Sequence, residues 1–415
     1  MNSRERVLAV INHQEPDRVP IDIGGSLVSG IMAGALTHLR QHLGLPVPVK
    51  VYDCAQMLGE VTMDLVERFD LDILPVEPRY ISWDFLPSEN HKPWKLFDGT
   101  PVLMPGDFDP EVSPEGHWIL HEDNDPNKPM AARMPKDGYY FDSLETTGWN
   151  FDYEPPTIEE LRRDGWRRVR DEDLRYLQDK AQTLRRSAPD KALVLTDWND
   201  SPLGPASVGS VPEWLVILAS EPDYVEALFA LATEVALDNL KLYWEAIGDT
   251  VDVIHVDGHD FGSQNRELFS PGLFENLYVP CYKAQCDWIH DHTPWKTAKH
   301  CCGSIPNLIG SMIEAGIDIL NPVQTSAAGM DPQWLKDTFG DRITFWGGGV
   351  DTQRVLPFGT PDEVYKHVVE RLKILGPGGG FIWAAVHNIQ YNVPPENIVA
   401  AVQAVRDHGH YPLTA

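Results

Sequence analysis

Short apolar segments alternate with stretches of helical periodicity along most of the chain. Eight of the apolar segments have the length and composition of buried β-strands, and helical patterns separate most of them. The pattern that begins at Ser270 starts with a good N-cap residue followed by Pro271 at the first helical position. The predicted strands cover residues 19–23, 72–76, 192–197, 253–256, 296–300, 319–323, 343–346 and 381–385.

This alternation predicts an α/β fold in which eight βα units close into a (β/α)8 TIM barrel. An open doubly wound sheet is the alternative, because periodicity does not distinguish the two. Residues 79–155 interrupt the alternation of strand and helix patterns. They contain proline, glycine, aromatic residues and short alternating segments. We therefore expect one barrel domain over residues 1–415, with a small β-rich insertion after the second strand, an inserted β-hairpin cap at 79–155.

Charge and composition narrow the classes of partner. The 415 residues carry a net charge of −28, so a nucleic acid or an anionic membrane surface is an unsuitable partner. No apolar segment approaches the roughly 18 residues that span a bilayer, and the N-terminus lacks the features of a signal peptide. The five cysteines include the adjacent pair Cys301 and Cys302, which argues against a disulfide framework. We expect a cytoplasmic protein that acts on a small-molecule substrate.

Polar residues cluster where the predicted strands end. In a barrel of this type the functional side chains lie at the C-terminal ends of the strands. Six successive predicted strands end in such residues, which favours an active site over a series of solvated loops. Asp260 follows the fourth strand and is a candidate for proton handling. The candidates for substrate binding are Asp197, Trp198, Asn199, His259, Asn321, Gln324, Asp351 and Gln390.

His300 and Cys302 form an H-x-C pair at the end of the fifth predicted strand. Side chains alternate along an extended segment, so the imidazole and the thiol can point the same way while Cys301 points away and packs as a small apolar residue. Both groups are good zinc ligands, and His387 at the end of the eighth strand could supply a third. A buried thiol beside a hydrogen-bonded histidine is the equally simple structural alternative.

Several of these segments together resemble the uroporphyrinogen decarboxylase superfamily. The resemblance covers nearly the whole chain outside the insertion, and it implies a (β/α)8 barrel. The segments that carry it are RERVL at 4–8, EPDRVP at 15–20, AGID at 315–318, NPVQ at 321–324, GGVDTQ at 348–353 and VPPENI at 393–398.

The superfamily contains two chemistries. The decarboxylases have an arginine-rich segment after the first strand that holds the carboxylates of a tetrapyrrole, and here residues 22–29 contain no arginine. The other branch resembles cobalamin-dependent methyltransferases, in which zinc bound by H-x-C and a distant cysteine activates an acceptor. His300 and Cys302 match the first two ligands. His387 replaces the distant cysteine, and Gln324 stands near the position of an acidic group in some relatives.

The resemblance implies a zinc-dependent, corrinoid-linked methyltransferase with one Zn²⁺ per chain. The corrinoid would be supplied by a partner protein, because no segment of this chain has the features of a cobalamin-binding domain. Two alternatives remain, a decarboxylase of porphyrinogen-like acids that needs no metal and a non-catalytic metal- or ligand-binding barrel. The sequence does not identify the substrate or the direction of transfer, and it leaves formation of a homo-oligomer open.

Overall fold

The structure is a computed structural model that describes residues 1–79, 90–121, 125–128, 130–143, 153–196 and 208–413. Seven parallel strands form one sheet, in which each strand pairs with the next along the chain. This neighbour-to-neighbour order agrees with a βα barrel and differs from a doubly wound sheet, in which the strand order reverses. The seven strands are Ile73–Val76, Ala192–Leu195, Val253–Asp257, Lys296–His300, Ile319–Asn321, Thr344–Trp346 and Phe381–Ile382.

The segment around Ile21 occupies the eighth position, between the two edges of this sheet. Ile21 forms a parallel bridge with Trp383, and its carbonyl accepts a hydrogen bond from Asp72 N at 2.8 Å. Residues 19–23 were predicted as a full strand, and that prediction was wrong in extent. Pro20 has no N–H to donate, and the Asp22 carboxylate accepts a hydrogen bond from Gly25 N, which turns the chain.

The first helix, Ser3–Ile11, lies across the N-terminal ends of the strands. Gly380 N donates to Val10 O at 3.0 Å just before the last strand, and Arg4 N donates to Asp190 O at 2.7 Å just before the second. Val7, Val10 and Ile11 pack on the apolar residues inside the barrel. The helix therefore covers the N-terminal end of the barrel, so a substrate would have to enter at the C-terminal end.

The helices between the strands pack on the outer face of the sheet. Ser270 begins its helix as predicted, with its Oγ accepting a hydrogen bond from Leu273 N at 3.2 Å. Among the described residues no helix combines the length and the apolar character needed to cross a bilayer. The remaining helices are Ala33–His42, Met63–Phe69, Ile158–Arg163, Asp171–Ser187, Val211–Ser220, Pro222–Ile247, Gly248–Thr250 (3₁₀), Pro271–Leu273, Phe274–Tyr278 (π), Val279–His292, Ile309–Glu314, Pro332–Phe339, Val355–Phe358, Pro361–Leu375 and Pro395–His408.

Two further sheets contain the strands that lie outside the barrel. One includes the early strands Val49–Asp53 and Leu58–Gly59, which the sequence pattern did not predict, together with two strands from the 79–155 range. The other is antiparallel and lies wholly within that range. This range is therefore β-rich in its described part, whereas its status as a separate cap stays a prediction. Its strands are His91–Lys95, Pro101–Pro105, Glu111–Val112, Trp118–His121, Met130–Met134 and Asp142–Ser143.

Candidate metal centre

Three side chains predicted as metal ligands meet at the C-terminal end of the barrel. His300 is the last residue of its strand, Cys302 follows two residues later, and His387 follows the final strand. One ligand atom from each lies within 4.8 Å of the others. Cys302 Sγ lies 3.5 Å from His300 Nε2. The fold therefore joins two chain segments that are 85 residues apart into one cluster.

A hydrogen bond behind His300 fixes which of its nitrogens faces this cluster. His300 Nδ1 lies 2.8 Å from Asn321 Oδ1, and Asn321 Nδ2 donates to the carbonyl of Trp346 at 3.2 Å. Since the amide nitrogen is engaged with a carbonyl, Oδ1 must accept from His300 Nδ1–H. Nε2 is left with its lone pair toward Cys302. Asn321 was predicted to contact substrate, but the oxygen and the nitrogen of its buried amide are bonded to His300 and to the Trp346 carbonyl.

Burial sets the protonation of the three groups. It lowers the pKa of both His300 and His387 to about 4, so both imidazoles are neutral near pH 7. It raises the pKa of the Cys302 thiol well above its ordinary value, and the nearby Asp260 carboxylate adds to that effect. Neutral imidazoles are the form that binds metals, while the thiol would need the charge of a cation to lose its proton.

The donor set fits zinc. Bond lengths of about 2.0–2.3 Å in a tetrahedral site place ligand atoms about 3.3–3.8 Å apart. The 3.5 Å between Cys302 Sγ and His300 Nε2 lies within that range. Because all three atoms lie within 4.8 Å of one another, a side-chain movement of at most about 1 Å would bring the set to zinc-binding distances. Three protein ligands leave a fourth position for a small molecule, which is the arrangement of catalytic zinc sites.

Asp260 reaches the same cluster, as its position after the fourth strand predicts. Its Oδ1 accepts a hydrogen bond from Cys302 N at 2.6 Å and lies 3.5 Å from His300 Nε2. The side chain is 49% exposed, so it is accessible to a substrate as well as bound to the loop. Asp260 therefore combines contact with the Cys302 main chain and access to solvent at the barrel mouth.

Gln324 supports the loop that follows Cys302. Its Oε1 accepts a hydrogen bond from Gly303 N at 2.8 Å, and its Nε2 donates to Gln264 Oε1 at 3.0 Å. Gly303 has a φ of +92°, and a Cβ there would lie 2.2 Å from the carbonyl oxygen of Gly262. Only glycine fits this close contact between the two loops. Gln324, predicted to bind substrate, thus also has a structural partner.

The other predicted substrate-binding residues differ in position. Asp351 Oδ1 accepts hydrogen bonds from three main-chain N–H groups, of Gln353, Arg354 and Val355, at the start of a short helix. Gln390 Nε2 donates to a main-chain carbonyl two residues earlier. Both side chains therefore form hydrogen bonds with the main chain nearby. Their contact with substrate stays a prediction. Asp197, Trp198 and Asn199 lie outside the described residues.

Sequence reasoning missed the buried charge beside this cluster. Lys299 is fully buried, and its Nζ lies 2.6 Å from Asp257 Oδ2. His259, predicted to bind substrate, holds its Nδ1 2.5 Å from the other oxygen of the same carboxylate. The available signal was a lysine directly before His300 in a predicted strand, because alternation directs its side chain away from the face that carries His300.

Comparisons with known structures agree with the barrel. A methyltransferase from Methanosarcina mazei is similar over 98% of this chain and 99% of that chain, with a TM-score of 0.58 and 16% identity. At this identity the similarity concerns the fold alone. An Ignisphaera aggregans GH53 catalytic domain covers 94% of this chain and 99% of that chain at 13% identity, but its TM-score of 0.33 is too low to support an argument.

Comparison with curated protein sequences gave no significant match. The sequence profile of the uroporphyrinogen decarboxylase (URO-D) family, in contrast, matches residues 154–408. That range is more than half of the chain, and it includes His300, Cys302, His387 and the Asp260 loop. The chain therefore belongs to the uroporphyrinogen decarboxylase family.

Proposed function

We propose that the protein is a zinc-dependent methyltransferase that passes a methyl group between a corrinoid on a partner protein and a small molecule. The observation that carries the proposal is the convergence of one atom each from His300, Cys302 and His387 within 4.8 Å at the barrel mouth. The fixed orientation of His300 Nε2 adds to it, since metal-binding histidines commonly hold their other nitrogen in such a bond. The methyltransferase among the structures of similar fold is compatible with this reaction class.

Zinc, when bound, would act as a Lewis acid on the group that gains or loses the methyl. Two neutral imidazoles and one thiolate leave more positive charge on the ion than two thiolates and one imidazole would. That charge makes the ion a stronger Lewis acid and makes a thiolate substrate a weaker nucleophile. The ligand set therefore favours a substrate that binds through oxygen, such as an alcohol, an ether or a carboxylate, over a thiol.

Asp260 is the residue that we assign to proton handling or substrate binding. Its carboxylate is half exposed and lies 3.5 Å from His300 Nε2, so it borders the open coordination position. A carboxylate there can accept a proton or a hydrogen bond from a hydroxyl group on the substrate. It can do so while its bond to Cys302 N keeps it in place.

The segment after the first barrel position opposes the decarboxylase alternative. Residues 24–29 are buried and contain glycine, serine, leucine and valine, with Ser26 Oγ and Ser29 Oγ 3.0 Å apart. Asp22 at its start is a buried carboxyl group. A neutral segment beside an acid offers no cationic clamp for several substrate carboxylates. Anaerobic incubation with uroporphyrinogen should therefore give no loss of carboxyl groups, and decarboxylation at an enzymatic rate would favour the alternative.

The direct test of the reaction uses cob(I)alamin as a soluble substitute for the corrinoid partner. We expect the zinc-loaded protein to transfer a methyl group to cob(I)alamin from at least one methyl ether or methyl ester. The change in visible absorbance of the corrinoid measures this transfer. The Cys302→Ser variant should lose this activity. Absence of transfer from every donor, with zinc bound, would instead support a non-catalytic binding barrel.

A further inference from the structure

A buried lysine lies directly behind the candidate metal centre. Lys299 Nζ is 2.6 Å from Asp257 Oδ2, and it donates to two main-chain carbonyls, of His259 at 2.6 Å and of His300 at 2.5 Å. It also lies 4.5 Å from the centre of the Phe261 ring. Both charged side chains are fully buried. The ammonium group therefore has three oxygen partners and an aromatic face.

The Asp257 carboxylate is just as fully engaged. Oδ2 accepts a hydrogen bond from Tyr282 OH at 2.5 Å, and Oδ1 accepts from His259 Nδ1 at 2.5 Å and from His259 N at 3.2 Å. Although burial alone would raise the pKa of Asp257, the Lys299 ammonium and the neighbouring His259 hold that pKa well below its ordinary value. The carboxylate is thus ionised and joins its strand to the helix Val279–His292.

Burying the Lys299–Asp257 ion pair between strand and helix has a large desolvation cost. Removing two ions from water costs several kcal/mol each, and replacing a buried pair with apolar side chains is often neutral or stabilising. The contacts made by Lys299 indicate a positioning role for the pair. The His259 carbonyl opens the loop that carries Asp260, and the His300 carbonyl opens the loop that carries Cys302. One ammonium group therefore holds both loops.

The two loops meet again at the metal centre. Asp260 Oδ1 accepts from Cys302 N at 2.6 Å, and Gly262 and Gly303 are in close contact just beyond. Together with the Lys299 bonds, these contacts fix the separation of the loops on both sides of Cys302. Without Lys299 the loop that carries Cys302 would still follow the same strand, but the His300 carbonyl at its start would lose its hydrogen bond from Lys299 Nζ.

We propose that Lys299 is a positioning residue for the metal centre, and that its pair with Asp257 holds Cys302 where it can bind the ion together with His300 and His387. This inference rests on the proposed function, since it presupposes that the three side chains hold zinc. Lys299 does not touch the metal or the substrate. Its effect should appear in the affinity and the geometry of the site more than in the stability of the fold.

The test compares wild type with the double variant Lys299→Met/Asp257→Asn, which removes both charges and so leaves no unpaired ion. Zinc affinity is measured by competition with a chelator, and the visible spectrum of the cobalt(II)-substituted protein reports coordination geometry. The control is Lys180→Met/Glu77→Gln, which removes a 2.7 Å ion pair elsewhere in the barrel. We expect at least about tenfold weaker zinc binding and an altered cobalt spectrum in the double variant only, because loss of supporting groups typically costs 10–100-fold in metal affinity.

Equal zinc affinity and an unchanged cobalt spectrum in a folded double variant would overturn the inference and leave the proposed function intact. If wild type itself binds no zinc, the proposed function and the inference both fail. Should the double variant not fold, Tyr282→Phe replaces it, because this change removes one bond to Asp257 and keeps both charges. It should weaken zinc binding in the same direction, and unchanged binding would again contradict the positioning role.

Discussion

His300 Nδ1 donates to Asn321 Oδ1 at 2.8 Å, and this bond determines which imidazole nitrogen faces Cys302 and His387. The two residues are the last of adjacent parallel strands, which pair in register at this point. Asn321 in turn is held by its bond to the carbonyl of Trp346 on the next strand. The orientation of one candidate ligand is therefore set by three neighbouring strands of the barrel.

The first prediction concerns this support. Asn321→Leu removes the acceptor but nearly keeps the volume, so His300 can rotate and zinc should bind about 10–100-fold more weakly. Chelator competition measures the change. Asn397→Leu is the control, because Asn397 is also buried and bonded to two main-chain carbonyls, but in the outer helix Pro395–His408. Equal affinity of the Asn321 variant and wild type would show that His300 does not depend on this bond.

The second prediction separates chemistry from support at Asp260. Asp260→Asn removes the charge and keeps an oxygen that can accept from Cys302 N. Bound zinc and melting temperature should change little, while turnover in the cob(I)alamin assay should fall at least about tenfold, a cautious limit for a group that handles a proton. Unchanged turnover with a shifted melting temperature would make Asp260 a structural residue.

The third prediction uses the pH dependence of stability. Burial raises the pKa of Asp22 to about 7, although hydrogen bonds from Gly25 N and Trp346 Nε1 oppose the shift. The folded state therefore retains a proton that the unfolded state releases near pH 4. Because of this difference, ionisation of Asp22 lowers the free energy of unfolding of the protein as pH rises from about 4 to 7. The loss is about 4 kcal/mol at most.

Asp22→Asn cannot ionise and should not show this loss. Urea unfolding of both proteins at pH 4.5, 5.5, 6.5 and 7.5 provides the comparison. The stability of the variant relative to wild type should increase steadily with pH. A constant difference across this range would mean that the Asp22 carboxyl titrates in the folded protein as it does in water.

The periodic features of the chain predicted the barrel well. Apolar segments separated by helical patterns predicted seven of the parallel strands, and alternation predicted that Cys301 points away from His300. The structure buries Cys301, with its Sγ accepting from Phe261 N at 3.2 Å. Residues at successive strand ends also pointed to the cluster of His300, Cys302 and His387, because parallel strands bring their ends to one side.

Features that depend on distant partners could not be predicted in this way. The strand Val49–Asp53 pairs with Pro101–Pro105, about 50 residues away, and no local signal identifies such a partner. The roles of Asn321 and Lys299 likewise depend on which groups the fold places beside them. A single sequence shows that a polar residue lies in a predicted strand, but not whether its side chain contacts a substrate, a metal ligand or a main-chain carbonyl.

Binding of zinc by His300, Cys302 and His387 is tested most directly by the zinc content of the protein purified without added metal. We expect one zinc per chain in wild type and in Cys301→Ser, because the Cys301 thiol points away from the cluster. We expect a large loss in His300→Ala, Cys302→Ser and His387→Ala, each measured by elemental analysis on folded protein. Wild type without zinc, or three variants that hold as much zinc as wild type, would contradict this assignment.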